Sequence, residues 1–310
     1  MKQPNAALLI WLCVLFAVFR LSNSRNIDRT HTNYRACEKT WVDNNKKSRQ
    51  LVNKMVAIAG DAIRFKKDFQ GLSIFDLFEP QWTCPYENRV GKDFGDGGKF
   101  VCGSERYFEQ KSSCLIYSIG SSGDFSFEVD VLKRYGRKCE LHTFDPTGDT
   151  GKWAEEGKQV GTQFHPWGLS HVDASNRNNP LLSQSNPMMP LGEIVERLGH
   201  SGRTIDVLKI DCEGCEYSAF QSIWRDVKLN KFRIGQIQIE VHKNDHESDV
   251  PKFFVDAIDA GFELFHKERN HWGCLGWTCV EFSFISQEAK RDIFAHDMCP
   301  GILKLSERWS

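Results

Sequence analysis

Residues 115–124 read Leu-Ile-Tyr-Ser-Ile-Gly-Ser-Ser-Gly-Asp, and residues 139–145 read Cys-Glu-Leu-His-Thr-Phe-Asp. The apolar part of each stretch has the length of a short buried strand, and the segment Phe125 to Tyr135 between them has apolar residues at helical spacing. The first strand ends in a glycine turn, and the second ends in Asp145. A strand, a helix and a strand in this order predict two parallel strands joined by a right-handed crossover.

The alternation of strands and helices continues toward the C-terminus. It predicts an α/β fold with a doubly wound, mostly parallel sheet and helices on both faces. The last two strands lack an intervening helix, so we expect an antiparallel closing hairpin with Asn270 to Trp277 as its turn region. That hairpin is typical of the Rossmann-like class I methyltransferase fold and not of a plain dinucleotide-binding domain. The remaining predicted strands are Val160 to Phe164, Ile205 to Ile210, Ile234 to Val241, Phe262 to His266 and Cys279 to Ile285, and the remaining helices are Leu191 to Leu198, Glu216 to Asp226 and Pro251 to Ala260.

The composition fits one sizeable α/β domain with an extension. Of the 310 residues, 40% are hydrophobic and 12% aromatic, as expected for a globular protein. The 40 basic and 41 acidic residues give a formal net charge of -1, so the chain lacks the broad basic field that nucleic-acid binding uses. We divide the chain into a signal segment at residues 1–24, a polar stem and small helical extension at residues 25–80, and a methyltransferase-like domain at residues 81–310. The extension includes an amphipathic segment from Leu51 to Phe69.

The N-terminus has the pattern of a secretory signal. Lys2 precedes an unbroken apolar run from Ala6 to Phe19, which is followed by Arg20 and a small polar stretch, Ser22 to Ser24. The run is shorter than the roughly 20 apolar residues that cross a membrane. A cleaved signal peptide and an uncleaved Golgi-type membrane anchor both stay open. Either one places the protein in the secretory pathway, secreted or in the Golgi or ER lumen.

The cysteines agree with that location. One of the 11 cysteines, Cys13, lies inside the apolar run. The even number that is left suits disulfide bonds in an oxidising compartment. Cys212 and Cys215 have CxxC spacing, and Cys274 and Cys279 flank a Trp- and Gly-rich turn. The sequence does not reveal the pairing, but no set of cysteines and histidines has the spacing of a structural zinc site.

Cofactor binding is expected where the first two strands end, because ligands of such sheets lie at the carboxyl ends of the strands. Gly120, Ser121 and Gly123 form a turn that allows close approach of a ligand to the backbone. Asp145 ends the next strand about twenty residues later, where an acidic side chain can accept both ribose hydroxyls of an adenosine cofactor. A capping or turn role for Asp145 before Pro146 is the alternative.

Candidate catalytic residues follow two later strands. Asp211 and Glu213 come after Ile210, and Glu240 and His242 end the strand that begins at Ile234. Because neighbouring parallel strands end at the same edge of a sheet, we expect the four side chains around one pocket mouth. Such a cluster suits general base catalysis, or Mg²⁺ held by Asp211 and Glu213.

Several motifs resemble the methyltransferase-like protein 24 family, a relative of the FkbM-type O-methyltransferases. The resemblance covers residues 82–285 and implies an S-adenosylmethionine fold that transfers a methyl group to a hydroxyl of a small molecule or glycan. The chain departs from the family pattern in having Cys212 and Cys215 within the signature. The motifs are Asp96 to Cys102, Tyr117 to Gly120, Phe144 to Pro146, His165 to Ser170, Asp206 to Gly214 and Glu240 to His242.

We therefore predict O-methylation, with S-adenosylmethionine over the glycine turn and a substrate hydroxyl deprotonated by His242 or a carboxylate. Three alternatives stay open. A degenerate fold would act as a secreted binding module. An NAD-dependent oxidoreductase would have a sixth parallel strand in place of the hairpin. A luminal glycosyltransferase would share the N-terminal segment and an acidic metal-binding motif.

Overall fold

The structure is a computed structural model, and it describes residues 35–61, 73–136, 138–147, 149–170, 186–243 and 249–299. The predicted signal segment and its apolar run lie outside the described residues. Within those ranges, no helix is both long enough and apolar enough to span a membrane.

The described chain contains eleven strands and eight helices, which follow one another in the order of a doubly wound domain. The strands are β1 (Glu87–Val90), β2 (Lys99–Cys102), β3 (Cys114–Ile119), β4 (Cys139–Phe144), β5 (Gln163–His165), β6 (Gly168–Leu169), β7 (Met188–Met189), β8 (Thr204–Ile210), β9 (Arg233–His242), β10 (Phe262–Arg269) and β11 (Cys279–Ser286). The helices are α1 (35–61), α2 (Glu105–Gln110), α3 (Ser126–Tyr135), α4 (Thr150–Val160), α5 (Leu191–Arg197), α6 (Glu216–Lys228), α7 (Val250–Asp259) and α8 (Gln287–Ile293).

Seven strands form the central sheet, in the order β10-β11-β9-β8-β3-β4-β5. The five strands from β9 to β5 are parallel, whereas β11 pairs antiparallel with β9, and β10 pairs antiparallel with β11. This is the class I methyltransferase arrangement, and the prediction of the fold is confirmed. The antiparallel β11 also stands where the oxidoreductase alternative required another parallel strand.

The core lies on both faces of the sheet, because nearly every side chain of its central strands is buried. In β3, the side chains of Leu115, Tyr117 and Ile119 join a cluster with residues of α5, α6 and α7. Those of Cys114 and Ile116 point the other way, into a cluster with residues of α2 and α3. The alternation follows from the two-residue period of a strand. Apolar groups therefore pack against both faces of the sheet.

The structure corrects two parts of the predicted element order. Helix α4 was not predicted, since its sequence is polar and shows no clear apolar stripe. Val160 belongs to the last turn of this helix, which Gly161 ends in the left-handed conformation at φ +104°. The third strand of the sheet is therefore Gln163–His165 and not Val160 to Phe164. The segment expected only to be turn-rich also contains the β1–β2 hairpin.

Helix α1 starts earlier than the predicted Leu51 to Phe69, and residues 62–72 lie outside the described ranges. Met55 and Ala59 enter the same hydrophobic cluster as the central sheet. Trp41 packs on Phe294 with ring centroids 5.0 Å apart. The polar segment expected as a stem therefore includes a helix that packs on the methyltransferase fold.

All ten cysteines outside the N-terminal apolar run lie in pairs at disulfide distance. Their Cα atoms are 4.4–6.1 Å apart, in the range of ordinary disulfides. One pair connects Cys37 of α1 to Cys299, near the end of the described chain, and another joins Cys212 to Cys215 in the CxxC signature. The pairs are Cys37–Cys299, Cys84–Cys102, Cys114–Cys139, Cys212–Cys215 and Cys274–Cys279.

A buried ion pair fixes α1 to the edge of the sheet. The Lys290 ammonium group donates to a Glu263 carboxylate oxygen at 2.5 Å, and the Ser48 hydroxyl of α1 donates to the same oxygen at 2.5 Å. Lys290 has no exposed side-chain surface, and Glu263 is also buried. A buried charge that loses its partner is costly, so each member of this group depends on the others.

We expect Lys290→Met to lower the free energy of unfolding by about 3–5 kcal/mol, because Glu263 would keep a buried charge without a cation. Lys252→Met is the matched control, since Lys252 pairs with Asp256 on an exposed face of α7, and such pairs contribute less than about 1 kcal/mol. Urea denaturation with the disulfides intact measures both variants. Equal losses would show that the buried group does not stabilise the docked helix.

Candidate active site

The glycine turn and the Asp211 loop touch through their backbones at the carboxyl edge of the sheet. The Gly120 N–H donates to the Phe144 carbonyl at 2.8 Å, and the Asp211 N–H donates to the Ile119 carbonyl at 2.9 Å. Gly120 has φ +77°, and a Cβ atom there would lie 1.6 Å from the Asp211 carbonyl oxygen. Only glycine permits this contact, so the ends of β3 and β8 meet because residue 120 has no side chain.

Helix α4 packs against the far end of the same turn. A Cβ atom at Gly123, which has φ +78°, would lie 2.3 Å from the indole nitrogen of Trp153. The turn is thus held between the Asp211 backbone and an indole ring. Sequence analysis predicted the turn but not Trp153, because α4 itself was missed.

Asp145 is buried and orders the turn with its carboxylate. One carboxylate oxygen accepts from the Ser121 and Ser122 N–H groups at 2.8 and 2.7 Å. The other accepts from the Thr147 N–H and hydroxyl at 2.9 and 2.6 Å. A carboxylate offers about four acceptor positions, and protein donors occupy all of them. This geometry matches the turn role considered for Asp145, and its contact with a ribose stays a prediction.

A buried lysine that sequence analysis missed joins the carboxylates of three strand ends. The Lys99 ammonium group lies 3.3 Å from Asp211 and 3.9 Å from Glu240, and it also contacts Glu281. Its side chain is 1% exposed. Lys99 is the first residue of β2 and belongs to the motif Asp96 to Cys102. The sequence therefore contained the motif, but it did not indicate a role for the lysine.

The charges in this cluster separate the pKa values of its carboxyl groups. Burial opposes ionisation of Asp211, but the Lys99 and Lys209 charges outweigh it and lower the pKa of Asp211 to about 2. Burial, together with Glu281 and Asp211, raises the pKa of Glu240 to about 8. Burial would lower the pKa of Lys99, but the surrounding carboxylates raise it. Near neutral pH, Asp211 is therefore ionised, and its side chain keeps 19% of its surface exposed.

His242 lies between two glutamates, Glu213 of the signature loop and Glu216 at the start of α6. Its Nδ1 atom is 2.5 Å from Glu216, which is fully buried, and its Nε2 atom is 3.3 Å from Glu213. Burial opposes the charged imidazole, but the hydrogen bond and charge of Glu216 outweigh it and raise the pKa of His242 to about 9. In this arrangement His242 carries a proton near neutral pH and acts as a donor, not as a base. Sequence analysis missed Glu216, although it follows the signature by two residues.

The four predicted catalytic residues thus lie at one edge of the sheet but in two groups. Asp211 and Glu240 share Lys99, whereas Glu213 and His242 contact each other. Asp211 faces Lys99 and Glu213 faces His242, and Mg²⁺ binding by these two carboxylates stays a prediction. The oxygens that do converge belong to Asp96, Glu240 and Glu281.

A cavity opens beside this cluster, between the β1–β2 turn and the closing hairpin. Asn270 donates to Glu240 at 2.9 Å and to Asp96 at 3.0 Å, so it connects an acid of the cavity wall, Asp96, to the Lys99 cluster. Phe94 and Trp272 stand at its rim, 80% and 61% exposed, with ring centroids 5.1 Å apart in an edge-on contact. Large aromatic rings with this exposure are unusual outside binding surfaces.

The sequence matches a protein-family model described as a methyltransferase domain, over residues 36–286. The chain belongs to this methyltransferase family. The match begins in α1 and ends at the last residue of β11, so it includes the whole central sheet. No curated protein matches the chain.

A structural comparison finds solved methyltransferases at low similarity. A Burkholderia thailandensis 1,6-didemethyltoxoflavin-N1-methyltransferase with bound 1,6-didemethyltoxoflavin and S-adenosylhomocysteine is 12% identical, with a TM-score of 0.33 over 56% of this chain and 71% of its own. Aeropyrum pernix fibrillarin with natively bound S-adenosyl-L-methionine is 11% identical, with a TM-score of 0.34 over 65% of this chain and 83% of its own. A Geobacter metallireducens precorrin-6y C5,15-methyltransferase is 11% identical, with a TM-score of 0.31 over 58% and 84%. These similarities are too low to transfer a substrate or a mechanism.

We expect Gly120→Ala to destabilise this methyltransferase domain by about 4 kcal/mol or more, because two backbones would have to separate. Gly202→Ala is the control, since Gly202 has a similar φ of +80° and no atom within 4 Å of its would-be Cβ. Its backbone strain alone costs about 1–2 kcal/mol. Chemical denaturation of both variants separates the clash from the strain, and equal losses would contradict the close contact.

The raised pKa of His242 predicts a loss of stability at alkaline pH. A histidine whose folded pKa exceeds its unfolded value of 6.5 stabilises the fold fully below pH 6.5, and this stabilisation disappears as the pH rises through about 9. We expect the free energy of unfolding to fall between pH 6.5 and 9 in the wild type and to fall less in His242→Gln. His271→Gln, at an exposed histidine of the hairpin turn, should keep the wild-type slope. Identical slopes in all three proteins would exclude the Glu216–His242 pair as the cause.

Proposed function

We propose that this protein is an S-adenosylmethionine-dependent methyltransferase that methylates a hydroxyl group of a sugar or another small molecule in the secretory pathway. The observation that carries the proposal is the ionised Asp211 carboxylate beside the glycine turn, at the edge of the sheet where this fold binds ligands. Within the methyltransferase family, we place the chain with the methyltransferase-like protein 24 group, related to the FkbM-type enzymes.

The residues at this edge fit the cofactor. S-adenosylmethionine carries a positive sulfonium and an ammonium group, which favour acidic surroundings, and when bound it supplies the methyl group. Gly120 and Gly123 keep the turn flat against the strand ends. Asp211 and Glu213 lie in the neighbouring loop. Asp145 would contact a ribose only by exchanging some of its present donors.

The acid–base roles follow from the charges of the protein. Asp211 would accept a hydrogen bond from the acceptor hydroxyl and take its proton as the methyl group passes from the sulfonium sulfur to that oxygen, which would leave neutral S-adenosylhomocysteine. Lys99 keeps Asp211 ionised and holds it in place from the buried side. His242 is protonated and provides a hydrogen-bond donor at the same mouth. General base catalysis contributes about 10²- to 10⁴-fold to a rate, and the low pKa of Asp211 places its contribution at the lower end of this range.

The rim of the cavity favours a glycan acceptor. A sugar ring has an apolar C–H face that stacks on aromatic rings, and Phe94 and Trp272 offer such surfaces to solvent. A sugar ring also carries neighbouring hydroxyl groups, which donate hydrogen bonds to carboxylate and amide oxygens. Asp96 and Asn270 line the same cavity. The net charge of -1 argues against a nucleic-acid acceptor.

Two features support the secretory location. The ten cysteines after residue 24 all lie at disulfide distance from a partner, and such bonds persist in oxidising compartments. The apolar run from Ala6 to Phe19 has the length of a signal core. We propose a cleaved signal peptide, and an uncleaved membrane anchor is the alternative.

A binding module without turnover is a second candidate, and one observation favours it. Every acceptor position of Asp145 is filled by protein donors, which would close the usual ribose contact. This candidate predicts that S-adenosylmethionine gives no heat in a calorimetric titration, whereas the enzyme binds it measurably.

The decisive experiment incubates the purified protein with methyl-labelled S-adenosylmethionine and fractionated glycans or lipids from its source. We expect label in a glycan fraction, a loss of about 100-fold or more in Asp211→Asn, and unchanged cofactor affinity in that variant. Asp256→Asn, on the exposed face of α7, is the isosteric control and should keep full activity. Full activity of Asp211→Asn would exclude it as the base, and transfer only to lipids would exclude the glycan acceptor.

A further inference from the structure

A second group of polar side chains lies beneath the sheet, away from the Asp211 loop. Glu140 and His142 project from β4, and His200 lies in the turn between α5 and β8. The Nε2 atoms of His142 and His200 are each 3.1 Å from the same oxygen, Glu140 Oε1. The three ligand atoms all lie within 4.8 Å of one another. Two imidazoles and a carboxylate thus converge on one point.

These distances suit a tetrahedral metal ion. Zinc binds histidine nitrogen and carboxylate oxygen at about 2.0–2.2 Å, which places neighbouring ligand atoms about 3.3–3.5 Å apart. The two measured separations of 3.1 Å are close to this edge length. Only small side-chain shifts are therefore needed to admit the ion.

Each of the three side chains also has an outer partner on its remaining polar atom. His142 Nδ1 lies 2.9 Å from His165 Nε2, and His200 Nδ1 lies 2.6 Å from the Tyr117 hydroxyl. Glu140 Oε2 accepts from Arg203 at 2.5 Å, which leaves Oε1 as its inward-facing atom. Outer hydrogen bonds of this kind orient metal ligands and fix the histidine tautomer. A complete outer shell around three converging ligands is a built site and not an accidental cluster.

The position of the group allows an ion to enter. His142 and His200 are buried, but the Glu140 side chain is 35% exposed, so one side of the cluster faces solvent. A water molecule would complete the ligand set from that side. Asp145 follows the end of β4, three residues after His142 and five after Glu140, which is roughly 10 and 16 Å along an extended strand. The group is therefore distinct from the candidate active site.

We propose that Glu140, His142 and His200 form a zinc-binding site with three protein ligands and one water molecule. Zinc is the fitting metal because imidazole suits Zn²⁺ and this ligand set is one that zinc sites use. On binding, both imidazoles keep a single proton, which moves to Nδ1. His142 then donates to His165, and His200 donates to Tyr117. The ion ties the α5–β8 turn to β4, the strand that carries Asp145 at its other end.

The test uses the purified full-length protein with its disulfides intact. The protein is stripped with a chelator, equilibrated with buffered Zn²⁺ and dialysed, and retained zinc is measured by atomic emission. We expect about one tightly held zinc ion per chain and a rise in melting temperature with zinc. Replacement by Co²⁺ should give the intense visible absorption of a tetrahedral site, a readout that needs no variant.

Three variants identify the ligands. His200→Asn should lose the zinc and the cobalt absorption. Tyr117→Phe keeps the packing but removes the outer partner, and should weaken zinc binding by about 10- to 100-fold. His266→Asn is the matched control, because His266 also pairs with a glutamate, Glu87 at 2.6 Å, but has no third converging ligand. It should retain full zinc binding.

The outcomes separate a metal site from a hydrogen-bonded network. No retained zinc and no tetrahedral cobalt spectrum in the wild type would overturn the proposal. Equal zinc content in the wild type and in a folded His200→Asn protein would also overturn it, by placing the ion elsewhere. If His200→Asn does not fold, the wild-type cobalt spectrum together with the weaker binding of Tyr117→Phe decides the matter.

Discussion

A single buried ammonium group, that of Lys99, holds the catalytic edge of the sheet together. It lies among the carboxylates of Asp211, Glu240 and Glu281, which come from β8, β9 and β11 or the loops that follow them. Its positive charge favours the ionised form of these acids and opposes the effects of burial and of their mutual repulsion. Lys99 itself comes from the β1–β2 hairpin, so the docking of that hairpin controls the charge state of Asp211. The Gln236 amide fixes the hairpin by pairing with the Cys102 N–H and carbonyl at 2.8 and 2.7 Å.

The glycine turn depends on a second electrostatic arrangement. Two successive N–H groups, those of Ser121 and Ser122, point at the Asp145 carboxylate, and Lys209 donates to the Gly120 carbonyl from below. The turn is therefore fixed before any ligand arrives. A preformed site avoids the entropic cost of ordering a loop on binding.

The sequence was sufficient for the fold because each central strand is a mostly apolar run that ends in a turn or a charged residue. The boundaries of β4 were predicted to the residue, and those of β3 and β8 to within one residue. Helix α4 was missed because it is anchored mainly by Trp153 and otherwise faces solvent, so it has no apolar period. Residues 35–50 were expected to be a polar stem, since the contacts that dock them reach distant residues such as Glu263 and Phe294.

The same limit applies to the site. Asp211, Glu213, Glu240 and His242 could be named because each follows an apolar strand. Lys99 and Glu216 could not be assigned roles, because their partners are more than twenty residues away and a sequence does not state which charges meet. The convergence of Glu140, His142 and His200 depends in the same way on the turn after α5 returning beneath β4.

The Cys212–Cys215 pair makes the conformation of the signature loop depend on the redox conditions around the protein. The bond spans Glu213, which has a positive φ of 53°, and Gly214. It therefore restrains by covalent means a backbone turn that a non-glycine residue adopts reluctantly. Chains made where thiols stay reduced would lack that restraint between Asp211 and Glu216. The conformation of the loop thus depends on the compartment in which the protein folds. Disulfide formation is one of the steps that build the site.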